Sequence, residues 1–240
     1  MATVLVTGFD PFGGETVNPA YEAVKLLPGE IAGARIVKQE IPTEFTRSAV
    51  AIEQALEREH PDIVISVGQA GGRSTLTVEQ VAINLAEARI PDNDGEQLFD
   101  TPLRTDGDTA YFATVPVKAM VGNVRAHNLP AFVSYTAGTY VCNSVMYNML
   151  YLLDRRFPGI RGGFIHVPFA PQQVVGKPNG TPCMPLHDMA KALEYAIEAA
   201  VKNEDSATAI AMGGDPLGER PCRTPAASAV HAAAGRAVGC

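Results

Sequence analysis

Three side chains of this chain have the types that together break an acyl bond: Cys142, His166 and Glu79. Cys142 lies in SYTAGTYVCNSVMYNMLYLL, residues 134–153. Phe132, Val133, Ser134 and Tyr135 suit a strand, and Ala137 and Gly138 break it. From Asn143 onward Val145, Met146, Met149, Leu150, Leu152 and Leu153 recur at helical spacing. The spacing predicts that Cys142 sits where a turn becomes a helix. Backbone N–H groups are unpaired there and the helix dipole is positive, and both favour a thiolate, the nucleophilic form of cysteine. The competing reading is a buried small apolar residue. His166 falls near the end of GGFIHVP, residues 162–168, a predicted buried strand where an isolated histidine is commonly a hydrogen-bonded core residue. Residues 75–85 alternate as a strand, with Glu79 on the face of Thr77, Val81, Ile83 and Leu85. An acid on that face is costly unless a partner meets it; the other reading is an edge-strand carboxylate in water. A cysteine nucleophile needs a base within hydrogen-bond reach, and the base needs a third group to hold its tautomer. Cys142, His166 and Glu79 supply those types.

The elements that must position them alternate between strand and helix. Thr3 to Thr7 reads as a short central strand, and residues 34–41 as a second. DIVISV, residues 62–67, is a continuous apolar run suited to a strand buried on both faces. Residues 111–115 and 162–168 read as further strands. Between them, Asn18 caps a short helix with Pro19 in its first turn. Thr43 is expected to cap a helix over 44–59 with Val50, Ile52 and Leu56 inward, and helices follow over 116–127 and 186–201. This pattern predicts a single α/β domain, a three-layer α/β/α sandwich with a largely parallel twisted sheet. Residues 88–107 and 171–185, rich in Pro, Gly, Asp and Asn, read as long loops. Phe9 and Phe12 are expected in the loop at the end of the first strand, where open α/β folds bind ligands; they serve either as a cover over the core or as one wall of a site. Gly8, Gly13 and Gly14 do not match either phosphate-loop spacing.

Composition narrows the function classes. The chain has 240 residues and a formal net charge of -7, which argues against a nucleic-acid surface. It has no apolar run long enough to cross a bilayer, and its N-terminus lacks the basic start of a signal peptide, so a soluble cytoplasmic protein is expected. The four cysteines (Cys142, Cys183, Cys222 and Cys240) show no CxxC spacing, so neither a disulfide framework nor a metal site is expected. Beyond Asn203 the chain becomes rich in Ala, Gly and Pro. Residues 1–204 are therefore read as the catalytic domain and 205–240 as a disordered tail.

Three separated motifs resemble the type I pyroglutamyl peptidases, also called pyrrolidone-carboxylate peptidases. GQAGGRSTLTVEQVAIN is similar to the family's glutamate signature, SYTAGTYVCN to its cysteine signature and GGFIHVP to its histidine segment. The opening GFDPFGGETVNPA is similar to its N-terminal loop. The resemblance implies Glu79, Cys142 and His166 as the catalytic residues, and a thioester route that removes pyroglutamate from peptide N-termini without a metal or organic cofactor. It implies that Phe9 and Phe12 sandwich the lactam ring, that Gln69 and Asn18 offer amide hydrogen bonds, that Tyr140 and Val141 line the ring pocket, and that Arg89 helps hold an oxyanion. It also implies a homo-oligomer, a tetramer in many relatives. Gln80 departs from the pattern, because the family usually places a basic residue after the acid. Two rivals remain at this level: a nucleoside-phosphorylase-like enzyme and a non-catalytic binding module on the same scaffold.

Overall fold

The apolar run at the N-terminus forms β1 (Thr3–Phe9), buried from Val4 onward, near the middle of a seven-stranded sheet. The computed structural model describes residues 1–203; the tail expected at 205–240 lies outside them. From β1 the chain passes through α1 (Pro19–Lys25) and the two-residue β2 (Glu30–Ile31) to β3 (Ala34–Ile41), parallel to β1 on one side. It returns through α2 (Phe45–Glu59) to β4 (Ile63–Gln69), parallel to β1 on the other side. The order reverses across β1, and the carboxyl ends of β1 and β4 therefore flank a crevice.

Next come β5 (Leu76–Glu79), β6 (Val81–Ile83), β7 (Ala110–Phe112), α3 (Val117–Ala126), β8 (Ala131–Ser134), α4 (Val141–Arg155), β9 (Arg161–Val167), α5 (Pro171–Val174) and α6 (Leu186–Lys202). The sheet order is β2-β3-β1-β4-β9-β5-β8. It is mostly parallel, as expected, with antiparallel pairs at β2/β3 and β5/β9. Helices α1, α3 and α6 pack together in one layer, and α2 and α4 in the other. The core is continuous across the three layers.

Several local expectations change. The strand expected over 75–85 breaks at Gln80: β5 belongs to the main sheet, whereas β6 pairs with β7 in a separate two-stranded ribbon. The cause is competition for a partner. The N–H groups of Thr114 and Val115 both donate to the Gly162 carbonyl, and the Ala113 N–H donates to the Gln80 carbonyl. The 113–115 segment thus occupies the edge of β9 that a longer β5 would need, and the strand expected over 111–115 shortens to β7. Thr43 does not cap α2; its hydroxyl donates to the Asp10 carbonyl, and the Phe45 N–H instead donates to Asp92 Oδ2 at 2.9 Å. Ile52 and Leu56 face the core from α2, but Val50 is 47% exposed. Phe9 is the last residue of β1 rather than a loop residue.

Candidate active site

The position of Cys142, the candidate nucleophile, is set at the start of α4. No side chain caps this helix, and its first turn closes with the Ser144 N–H on the Tyr140 carbonyl at 3.1 Å. The amides of Val141, Cys142 and Asn143 therefore have no acceptor within the helix. Asn143 clamps the turn in place: its Oδ1 accepts the Ile83 N–H at 3.0 Å, and its Nδ2 donates to the carbonyls of Ile83 and Leu85. The sulfur lies directly against β4. A Cβ on Gly68 would stand 2.8 Å from Cys142 Sγ and 2.8 Å from Phe164 Cζ, so only a residue without one lets the thiol seat there.

His166 and Glu79 meet across the antiparallel β5/β9 pair. The register sets Thr77 opposite His166 and Glu79 opposite Phe164, so the alternation of each strand puts both functional side chains on one face. His166 Nδ1 is 2.8 Å from Glu79 Oε1, and both residues are buried. A carboxylate only accepts, so Nδ1 carries the proton and Nε2 keeps its lone pair. The Phe164 ring packs on His166 with centroids 4.9 Å apart. Arg73 completes the group: its Nη1 donates to Glu79 Oε1 at 2.8 Å and to Thr77 Oγ1. The second oxygen, Oε2, is buried and makes no hydrogen bond; the nearby Ser134 hydroxyl donates to the Thr136 carbonyl but still favours the Glu79 charge.

Electrostatics separate the two acids. Burial alone would raise the Glu79 carboxyl, but the His166 hydrogen bond and charge, then the Ser134 hydroxyl and the Arg73 charge, outweigh it and hold the group below its ordinary value. Cys142 moves the other way. Burial, followed by the negative Glu79, pushes its thiol up to about 12; Arg73 and the local backbone oppose this without cancelling it. Burial therefore works against the thiolate that the helix start was expected to favour. Cys142 and His166 share one cavity wall.

That cavity measures about 210 Å³ and opens at the carboxyl ends of β1 and β4. Phe9, Phe12, Asn18, Gln69, Tyr140, Cys142 and His166 all line it, with Arg73 on its rim of charge. Glu79 stands behind His166. Phe12 and Tyr140 face each other with ring centroids 6.2 Å apart, and the Tyr140 hydroxyl donates to the Pro91 carbonyl. Asn18 is largely committed: Oδ1 accepts the Ala20 N–H as the cap of α1 and Nδ2 donates to the Asp10 carbonyl. Two expected residues do not join the wall. Val141 is fully buried in the core, and Arg89 is exposed and has no hydrogen bond or ion pair among the described residues. Arg73 and Gln173 were not singled out by sequence; Arg73 sits in a loop and Gln173 in the four-residue α5, neither with a periodic signal. A larger cavity of about 590 Å³ beside β5 and β8 contains none of Cys142, His166 and Glu79.

Fold and site together define a cysteine hydrolase on a three-layer α/β/α scaffold. Comparison with known proteins narrows this. The sequence model of the family described as pyroglutamyl peptidase matches residues 2–203. The pyrrolidone-carboxylate peptidase of Enterococcus faecalis is 60% identical over 202 residues, covering 84% of this chain and 94% of the relative. That of Lactobacillus johnsonii is 54% identical over 211 residues, covering 88% and 98%. Among solved structures, pyroglutamyl peptidase I of Bacillus amyloliquefaciens superposes with a TM-score of 0.82 at 45% identity, covering 85% of this chain and 99% of the other. The chain belongs to the pyroglutamyl peptidase family.

Proposed function

We propose that Cys142, His166 and Glu79 carry out the activity of this family, removal of pyroglutamate from a peptide N-terminus. The carrying observation is the 2.8 Å bond between His166 and the buried, ionised Glu79, in a cavity whose wall also holds the Cys142 thiol. With the thiol pushed up to about 12, the first step is a coupled one. His166 Nε2 takes the S–H proton as sulfur bonds to the pyroglutamyl carbonyl carbon, and the carbonyl π electrons move onto oxygen. The uncapped amides at the start of α4 are suitably placed to receive that oxyanion. Arg89, assigned to the same task by resemblance, would have to swing in from solvent. Collapse breaks the C–N bond, and the imidazolium gives its proton to the departing amine. Water, deprotonated by the same nitrogen, then attacks the thioester; pyroglutamate leaves and the sulfur regains a proton. Glu79 holds the tautomer throughout and offsets the imidazolium charge.

The cavity suits the substrate. Its volume lies below the roughly 300–1,000 Å³ of pockets that hold drug-sized ligands, so a five-membered lactam fits where a nucleoside does not. Aromatic walls favour a flat neutral ring over a charged prolyl ring, whose desolvation would cost several kcal/mol. The proposal includes a cytoplasmic, homo-oligomeric enzyme acting on peptides, with no nucleic-acid or membrane partner and no cofactor. No helix among the described residues is long and apolar enough to cross a membrane. The test is release of a fluorescent amine from its pyroglutamyl amide and from its prolyl amide, with and without a thiol alkylator. Alkylator-sensitive cleavage of the pyroglutamyl amide alone is expected; comparable cleavage of both, or insensitivity to alkylation, would overturn the reading. Sedimentation of the purified enzyme checks the oligomer.

A further inference from the structure

We infer that Gln173 is a positioning residue for substrate specificity: it locks the Gln69 side-chain amide so that its NH₂ group, rather than its oxygen, is offered to the cavity. Gln173 is buried and lies in α5, the short helix after β9, outside the cavity wall. Its polarity is fixed by two backbone groups. The Ala170 N–H, which can only donate, reaches Gln173 Oε1 at 2.9 Å. The Val17 carbonyl, which can only accept, lies 3.3 Å from Gln173 Nε2. The amide of Gln173 therefore has one permitted orientation. Its Nε2 also donates to Gln69 Oε1 at 2.8 Å, and that contact fixes Gln69 in turn. With its oxygen committed, Gln69 has two N–H donors left, and Gln69 lines the cavity. A ring carbonyl is the group such donors recognise, and it is the feature that separates a lactam from a prolyl ring. Three segments that are distant in sequence thus define the sign of one hydrogen bond. The loop before α1 supplies Val17, β4 supplies Gln69, and α5 with its N-cap supplies Gln173 and Ala170.

This rests on the proposed function, and the experiment separates the two. In Gln173→Glu one carboxylate oxygen still accepts the Ala170 N–H. The other faces the Val17 carbonyl and the Gln69 amide, which then turns to donate its NH₂ and presents its oxygen to the cavity. The variant should raise KM for the pyroglutamyl amide tenfold or more with kcat changed less than threefold. The rate of Cys142 alkylation by iodoacetamide should stay within twofold of wild type. The ratio of prolyl to pyroglutamyl cleavage should rise. Gln173→Met, which keeps the volume and removes both contacts, gives a second route if the glutamate variant does not fold. In the Gln69→Met background, Gln173→Met should add little to KM, because its effect passes through Gln69. Wild-type KM in both variants, a loss confined to kcat, or additive effects in the double variant would overturn the role of Gln173. Failure of the wild-type enzyme to cleave the pyroglutamyl amide would instead remove the function on which it rests.

Discussion

Replacing Glu79 with Gln isolates the charge of the acid from its shape. In the native site His166 Nδ1 and Arg73 Nη1 both reach the same oxygen, Oε1, each at 2.8 Å. The glutamine oxygen can take that place and satisfy both donors, so the imidazole keeps its tautomer. The new NH₂ then falls where Oε2 lies, a buried spot without a partner. What is lost is attraction to the imidazolium formed during acyl transfer. For charge centres about 4 Å apart at an effective dielectric constant near 20, that attraction is about 4 kcal/mol. At ~1.4 kcal/mol per decade, kcat should fall about a thousandfold, with KM changed much less. Steady-state hydrolysis of the pyroglutamyl amide measures this, and circular dichroism checks that the fold persists. A kcat within tenfold of wild type would refute the assignment of Glu79 as the group that offsets the charge on His166. The same variant tests linkage. The folded-state value of Glu79 is held below its ordinary one, so its contribution to stability is full above that ordinary value and disappears as pH falls through the depressed one. Urea midpoints should therefore drop more steeply on acidification in wild type than in Glu79→Gln.

Other expectations follow from the same geometry. Cys142→Ala should abolish hydrolysis while leaving the fold intact, and Cys142→Ser should be severely impaired because a hydroxyl ionises far less readily. Because the thiol is pushed up to about 12, the difference absorbance between wild type and Cys142→Ala should show no thiolate band at neutral pH; a band with a midpoint below neutrality would mean a preformed ion pair with His166. Phe12 and Phe9 should separate. Phe12→Ala should lower kcat/KM about tenfold through lost ring contact, whereas Phe9, 2% exposed and packed on Phe164, should lose roughly 3–5 kcal/mol of stability as alanine, read as a lower urea midpoint. If Arg89 swings in to meet the oxyanion, Arg89→Ala should reduce kcat about a hundredfold at constant KM; that is the expected result, and unchanged kcat would leave the task to the α4 amides.

What could be read from the sequence was what its local chemistry determines. The buried strands announce themselves as apolar runs, and α4 shows its period, so Cys142 at a helix start and His166 near a strand end were legible from residues nearby. Long-range partners were not. Nothing around Thr43 reveals that Asp92, 49 positions away in the chain, will accept the Phe45 N–H and relieve Thr43 of capping. Nothing in TVEQVAIN reveals that Thr114 and Val115 will take the Gly162 carbonyl and end β5 at Glu79. Gln173 is one polar residue in a Pro- and Gly-rich stretch, and its meaning comes entirely from two backbone groups brought to it by the fold.

Gln80 shows how the structure resolves a doubt that the motif raised. A basic residue after the acid looks at first like the acid's partner, and its absence suggests an unpaired carboxylate. Gln80, however, lies just past the end of β5, where the strand breaks, and its backbone is held by the Ser134 carbonyl and the Ala113 N–H rather than beside the Glu79 carboxylate. The compensating charge comes instead from Arg73, six residues earlier in the chain and 2.8 Å from Oε1. Arg73 is about one-third exposed, so its guanidinium keeps part of its hydration while it neutralises a carboxylate that has none. The net effect is an acid that stays ionised at no great desolvation cost to its partner, which is the condition the proposed mechanism sets for His166 to carry a proton between sulfur and the departing amine.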